Sequence, residues 1–312
     1  MSRLLLDPRV DPTAAYNIAI RLAADRGHAE VVALLLADPR VDPAADDNFA
    51  IRRAARSGHA EVVALLLADP RTDPAADNNF AIRWAAGGGH AEVVALLLRD
   101  PRVDPAANDN EAIRWAADNG HAEVAAADNG HAAVVALLLA DPRVDPATND
   151  NEAIRWAARQ GHAGVAALLL ADPRVDPAAD DNFAIRWAAE RGHAEVVALL
   201  LGDPRVDPAA KYNIAIRRAA WWGYAGAVAL LLADPRVDPA ADDDLAIRLA
   251  AQRDDAEVVA LLLADPRVDP AALDPPRFAA FRARPDVAEA LARRRRWTRL
   301  RGAWVAAVVA GR

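Results

Sequence analysis

ADNNFAIRWAAGGGHAEVVALLLRDPRVDPAA, residues 76–107, is a phrase that the chain repeats almost from end to end. Within it, Ile82, Ala85 and Ala86 fall at i, i+3 and i+4, on one face of a helix of about eight to ten residues. Asn79 stands where a side chain can cap that helix, and the glycines at 87–89 end it. His90 opens a second helix, in which Val93, Val94, Leu96, Leu97 and Leu98 spread apolar groups over well over half the circumference. Such a helix has to be covered on both sides, as happens when it is sandwiched between copies of itself. Asp100-Pro101 stops it, because proline has no amide proton and disfavours helical geometry in the residue before it. Asp104-Pro105 then keeps the connection to the next copy stiff.

The tripeptide Ala-Ile-Arg recurs with its isoleucine at Ile20, Ile51, Ile82, Ile113, Ile154, Ile185, Ile216 and Ile247. These positions are evenly spaced, except that the interval from Ile113 to Ile154 is longer than the others. A fixed period of this order is the signature of a stacked array. The long interval contains ADNGHA twice, at Ala117–Ala122 and Ala127–Ala132, and the duplication accounts for its excess. Ten extra residues would turn a helix face by about 1000°, about 80° short of three full turns. The duplicated stretch is therefore expected to loop out, with His131–Ala140 as the true second helix and residues 118–130 protruding between the two helices.

A chain of 312 residues that is 54% hydrophobic is long and apolar enough for a large folded body. It has no cysteine, which removes disulfides, thiolate nucleophiles and sulfur-ligated metals and points to a reducing compartment. MSRLLLDPRV, at the start, lacks the apolar run of a signal peptide, and no stretch approaches the ~20 apolar residues of a membrane helix. An intracellular, cytoplasmic monomer is expected. The net charge of −8 hides an asymmetry, because residues 277–312 carry ten arginines against Asp286 and Glu289. Lys211 is the only lysine.

The organisation that follows is a repeat array over residues 1–276, with a ten-residue insertion within 117–130, then a degenerate capping repeat and a basic helix over 277–312. Leu4–Pro12 reads as the tail of a repeat without its first helix, and Phe278, one period after Ile247, starts a degraded ninth copy.

AIRWAAGGGHAEVVALLL resembles the helical half of an ankyrin repeat, whose usual pattern is T-P-L-H-x-A-A-x-x-G-H-x-E-V-V-x-L-L-L. The likeness runs through eight complete copies over about residues 4–276. It implies an all-α, ankyrin-like solenoid of stacked helix-turn-helix repeats that binds another protein on its concave face. Two departures stand out. The family's Thr-Pro-Leu-His becomes Phe80-Ala81-Ile82-Arg83, so Asn79 and Arg83 are expected to replace its cap. The period is slightly shorter than the family's, so the projecting hairpin is expected to shrink to a tight Asp-Pro turn.

The sequence holds little for catalysis. The seven histidines sit at one repeat position, about 8–10 Å apart in a helical stack, too far for two to share a metal. Only His121 and His131 fall within a single repeat; the others read as turn residues bonded to backbone. The Asp-Pro aspartates occupy copies of one environment, whereas an acid/base pair needs two unlike ones. Serine occurs only at Ser2 and Ser57. A non-catalytic protein is expected, with no cofactor.

Partner selection is expected where the copies differ. After Ala-Ile-Arg come Leu22, Arg53, Trp84, Trp115, Trp156, Trp187, Arg218 and Leu249. The four tryptophans either pack between neighbouring first helices or form an aromatic ridge, tryptophan being a preferred interface anchor. Trp221-Trp222 precede Gly223, and two adjacent indoles on a short amphipathic helix cannot both face the core. The same repeat carries Lys211, Tyr212 and Tyr224 in place of acidic or amide residues and histidine, which makes it the leading contact. The arginine after each isoleucine reads as structural, reaching acidic residues or carbonyls of an adjoining loop, such as Asp46 and Asp47 near Arg52. The basic tail, Arg293, Arg294, Arg295, Arg296, Arg299 and Arg301, supports the alternative of a nuclear or nucleic-acid-associated protein. One cluster on an acidic body is weak support for nucleic acid.

Overall fold

The computed structural model of the chain describes residues 11–119, 125–294 and 296. Each repeat contributes two antiparallel helices. The first helices are Ala14–Asp25 (α1), Ala45–Arg56 (α3), Ala76–Gly87 (α5), Ala107–Asn119 (α7), Thr148–Gln160 (α9), Ala179–Glu190 (α11), Ala210–Trp222 (α13) and Ala241–Gln252 (α15). The second helices are Ala29–Leu36 (α2), Ala60–Ala68 (α4), Ala91–Leu98 (α6), Ala125–Ala140 (α8), Ala163–Ala171 (α10), Ala194–Leu201 (α12), Ala225–Ala233 (α14) and Ala256–Ala264 (α16). No strand occurs among the described residues, and Asp-Pro turns stand where a hairpin would project.

The chain divides into two compact units, residues 1–157 with 162–176 and residues 158–161 with 177–312. Within each unit, first helices pack on first helices and second on second, giving a solenoid of stacked pairs. The core follows the apolar pattern of the repeat. Ile82, Ala85 and Ala86 from α5 are fully buried, as are Val94 and Leu97 from α6. Alanine at the paired positions lets the helices approach closely. After α16 the second unit has a helix over residues 285–294, which buries Val287, Ala290 and Leu291.

The start of each first helix differs from the expectation. Asn79 does not cap its own helix. Asp77, Asn78 and Asn79 form a left-handed turn, with φ of 55°, 53° and 58°, before the right-handed helix begins at Phe80. The same three-residue turn opens all eight first helices, and six of them use only Asp and Asn there, the non-glycine residues best suited to this region. The turn aims its third side chain at the Asp-Pro segment that closes its own copy and leads into the next. The Asp104 N–H donates to Asn79 Oδ1 at 2.8 Å. Equivalent bonds of 2.7–3.0 Å join Asn17 to Asp42, Asn48 to Asp73, Asn110 to Asp145, Asn151 to Asp176, Asn182 to Asp207, Asn213 to Asp238 and Asp244 to Asp269.

Carbonyls of a left-handed turn cannot feed the ladder of a right-handed helix. The constant arginine takes them: Arg83 Nε donates to the Asn78 carbonyl at 2.9 Å and its Nη2 to that of Asp77 at 3.0 Å. Arg114 makes the same two bonds, and Nη2 of Arg186, Arg217 and Arg248 reaches the first carbonyl of its own turn. A lysine could not serve two carbonyls and a carboxylate from one planar fork. The remaining arm reaches the next repeat, as in Arg52 to Asp77 at 2.9 Å, Arg217 to Asp242 at 2.7 Å and Arg83 to Glu111.

Histidine and the Asp-Pro-Arg turn also bridge repeats. A ring nitrogen facing a carbonyl has to donate, and His59, His90, His131, His162 and His193 donate Nε2 to the backbone of Asp25, Arg56, Gly87, Asp118 and Arg159 in the preceding copy. The glycine before the histidine is required twice over. Gly58 has φ of 76°, and a Cβ there would lie 2.7 Å from His90 Nδ1. In the turn, the Arg102 guanidinium grips Asp100 and donates to the Thr72 carbonyl at 2.8 Å; Arg71, Arg143, Arg174, Arg236 and Arg267 repeat the bond.

The inserted stretch also departs from the expectation. α7 ends at Asn119 and α8 begins at Ala125, so residues 125–130 add to the front of the second helix and do not protrude as loop. The rotation argument applies to residues inserted between two faces already held. A helix lengthened at its free N-terminus keeps the register that Val134, Val135 and Leu138 set in the core.

Replacing Asn182 by Ala removes the acceptor of the part-buried Asp207 amide and is expected to destabilise by about 1–3 kcal/mol in urea unfolding, with Asn182→Asp losing less. Acid acts on a different set of bonds. The hydrogen bond from Arg40 holds the Asp38 carboxyl at about 2. Arg71, Arg102, Arg143, Arg174, Arg205 and Arg236 hold Asp69, Asp100, Asp141, Asp172, Asp203 and Asp234 below the ordinary range in the same way. A lowered carboxylate contributes stability above its unfolded value of about 3.9 and loses it as pH falls through the folded one. The melting temperature is therefore expected to fall mainly between about pH 4 and about pH 2; a loss centred near the ordinary histidine range would make the histidines dominant.

Candidate partner-binding surface

The positions that differ between copies turn out to be matched to one another. The residue after Ala-Ile-Arg touches a residue at the end of the preceding first helix. Arg53 Nε meets Asp25 at 2.7 Å, and Arg218 pairs with Glu190. Where the partner is arginine, the position holds an indole: the Arg56 guanidinium lies 4.3 Å from the Trp84 ring and that of Arg159 4.7 Å from Trp187. Gly87 leaves room for Trp115, whose Cε3 would be 3.3 Å from a Cβ there. Acid faces arginine, arginine faces indole and glycine faces indole.

All four tryptophans are half-buried. Trp84 stacks on Phe80 at 5.2 Å and meets Trp115 edge-on at 5.2 Å; Trp187 stacks on Phe183 at 5.3 Å; Trp156 donates Nε1 to Glu152 at 2.9 Å. Trp84, Trp115 and Trp187 thus take part in repeat interfaces, and Trp156 bonds within its own helix. The signal in the sequence is complementarity between one copy and the next, which an inspection of each repeat alone passes over. Arg56, Arg159, Glu190 and Asp25 escape a sequence reading for that reason.

The repeat at 211–233 is built differently. Lys211 and Tyr212 occupy the first two left-handed positions, with φ of 52° and 60°, where neither side chain offers what Asp and Asn do. Lys211 Nζ pairs with Asp181 at 2.6 Å. Tyr212 is 83% exposed and borders a groove of about 400 Å³ with Asp238, Ala241 and Asp242. The ten-residue step along α13 from Tyr212 to Trp222, about 15 Å at the usual helical rise, separates it from the other anomaly. There Trp222 ends the helix before Gly223, at φ of 77°, and is 49% exposed, while Trp221 is half-buried. The Arg253 guanidinium lies 5.2 Å from Trp221 and 5.8 Å from Trp222. Tyr224 takes the histidine position and packs its ring on Gly192. Nearby, burial and then the Arg191 charge hold the His193 imidazole below its usual range, so it is neutral where it donates to Arg159.

The basic tail is partly absorbed by the fold. Arg294 Nη2 donates to the Pro266 carbonyl at 2.7 Å, doing for the last Asp-Pro turn what the turn arginines do elsewhere. Arg293 lies 3.9 Å from Glu289, and Arg296 is exposed. Arg295, Arg299, Arg301 and His121 lie outside the described residues. Among the described residues, no three metal-ligating side chains come together, and no helix is long and apolar enough to cross a membrane.

Residues 51–127 and 124–214, together more than half of the chain, match a family profile described as Ankyrin repeats (3 copies). No curated protein matches the chain.

Tyr212→Asn is expected to stabilise the fold by about 1 kcal/mol in urea unfolding, because it relieves an ordinary side chain of the left-handed conformation. No gain would mean that Tyr212 makes an intramolecular contact worth the strain.

Proposed function

The chain belongs to the ankyrin-repeat family, and from that premise we propose that it is a non-catalytic scaffold holding another protein on the concave face lined by the first helices. Ankyrin repeats generally mediate protein–protein interaction. The principal contact is the repeat at 211–233, with Lys211, Tyr212, Trp221, Trp222 and Tyr224 as its distinguishing residues and the edges of Trp84, Trp115, Trp156 and Trp187 as secondary ones.

One observation carries this reading: Trp222 is 49% exposed at a helix end where the other repeats present small or polar groups. A large indole left in water has apolar area to lose on contact, and such residues dominate binding energies. The strain at Lys211 and Tyr212 supports it, since backbone outliers concentrate where surfaces are used.

Quantitative affinity capture with the intact protein and with Trp221→Ala/Trp222→Ala tests the reading. Loss of a hot spot of about 2 kcal/mol corresponds to a drop of roughly 30-fold in affinity, so recovery of the bound protein is expected to fall steeply at unchanged melting temperature. Capture of the same proteins at equal yield by a variant of equal stability would remove this repeat as the contact.

A further inference from the structure

Arg191, Trp222 and Arg253 hold one register in three successive repeats, each a single period from the next. Each lies at the carboxyl end of a first helix: Arg191 and Arg253 directly follow α11 and α15, and Trp222 ends α13. Neighbouring helices pack about 8–10 Å apart, so the three make a column of cation, indole and cation about 20 Å long. All three side chains are exposed.

The cations of this column are not neutralised. The Arg191 guanidinium lies 5.8 Å from the Trp187 ring, and that of Arg253 rests over Trp221 and Trp222. Neither makes an ion pair among the described residues, whereas Arg218 pairs with Glu190 and Arg284 with Asp254 and Asp286 at the same end of the unit. The helix C-termini favour arginine there, which accounts for the two cations. It does not account for an exposed indole between them. A guanidinium stacked on a ring keeps its N–H edge free, and that fork matches a carboxylate.

We propose that this column receives an acidic, apolar-centred segment of the protein partner. One apolar side chain seats on Trp222, and carboxylates to either side are taken by Arg191 and Arg253. The proposal rests on the reading of repeat 211–233 as the docking surface and names what docks there. The charge of the column itself points to a short acidic segment: two arginines without an ion pair among the described residues can hold two carboxylates, one on either side of the indole.

The test uses the full chain and fluorescein-labelled heptapeptides, Glu-Glu-Gly-Leu-Gly-Glu-Glu and its lysine and serine counterparts, read by fluorescence anisotropy at about 50 and about 300 mM salt. The glutamate peptide is expected to bind at least about tenfold more tightly than the lysine peptide, with the preference shrinking as salt rises. Arg191→Glu/Arg253→Glu is expected to reverse the preference; Trp222→Ala is expected to weaken the glutamate peptide about tenfold while keeping its sign. Melting curves confirm that the variants are folded, and Arg191→Gln/Arg253→Gln, which abolishes the preference without adding charge, stands in if the glutamate variant is not. Equal or tighter binding of the lysine peptide overturns the proposal, as does a preference unchanged in both arginine variants. A single-stranded oligonucleotide that displaces the glutamate peptide at lower concentration than unlabelled peptide would reassign the column to nucleic acid and overturn it too. Loss of capture in Trp221→Ala/Trp222→Ala, with no preference among peptides, removes the acidic assignment alone; unchanged capture removes the docking surface beneath it.

Discussion

The bond from the aspartate N–H of the closing Asp-Pro segment to the asparagine Oδ1 at the head of the same copy organises the rest of this molecule. To aim that side chain forward, the backbone takes a three-residue left-handed turn at the head of every first helix. The turn strands its carbonyls, and only a guanidinium at the sixth residue beyond can collect them while still reaching the next copy. Asparagine, left-handed turn and arginine are thus one device. Each member makes sense only with the other two, which is why Ala-Ile-Arg is invariant within the chain while the residue after it is free to change.

The free position is constrained in another way. Asp25 with Arg53, Arg56 with Trp84, Arg159 with Trp187 and Glu190 with Arg218 are complementary pairs across adjacent repeats. In a stack whose stability is the sum of unit and neighbour terms, such pairs assign each repeat its neighbour. Near-identical copies would otherwise be able to pair out of order. Part of the variation that looks like partner specificity is thus contact between neighbouring repeats, and it leaves the repeat at 211–233 more conspicuous, because Trp222 stays 49% exposed even with Arg253 over its ring.

The period, the two helices per repeat, the apolar faces and the turn role of the aspartates are all legible in the sequence, since each follows from local pattern. The left-handed turn is not. Asp-Asn-Asn before an apolar run is equally the signature of an N-cap, and what selects the other conformation is an amide 25 residues further on, in the Asp-Pro segment that closes the copy. The histidines can be read as backbone-bonded, but the carbonyl belongs to the preceding copy, a relation that no single repeat contains. The extended second helix at Ala125–Ala140 is hidden for a related reason: a rotation argument assumes that residues on both sides of the insertion are held, whereas Val134, Val135 and Leu138 set the register from the downstream side alone.

Whether the odd repeat is drift or design can be argued from its neighbours. Tyr16 occupies the same left-handed position in the first repeat and is also 83% exposed, so an exposed tyrosine there is not by itself diagnostic. Random loss of the Asp/Asn preference would leave strain without compensation. Lys211, however, answers Asp181 at 2.6 Å, and Tyr224 fills the space above Gly192 that histidine fills elsewhere. The substitutions that touch the stack are thus accommodated by it. Trp222 differs in degree: it meets the Arg253 guanidinium at 5.8 Å, yet it is 49% exposed and sits between two arginines that make no ion pair among the described residues. An indole left half in water keeps apolar area that contact with a partner would bury, which is why the proposed docking surface is centred on it.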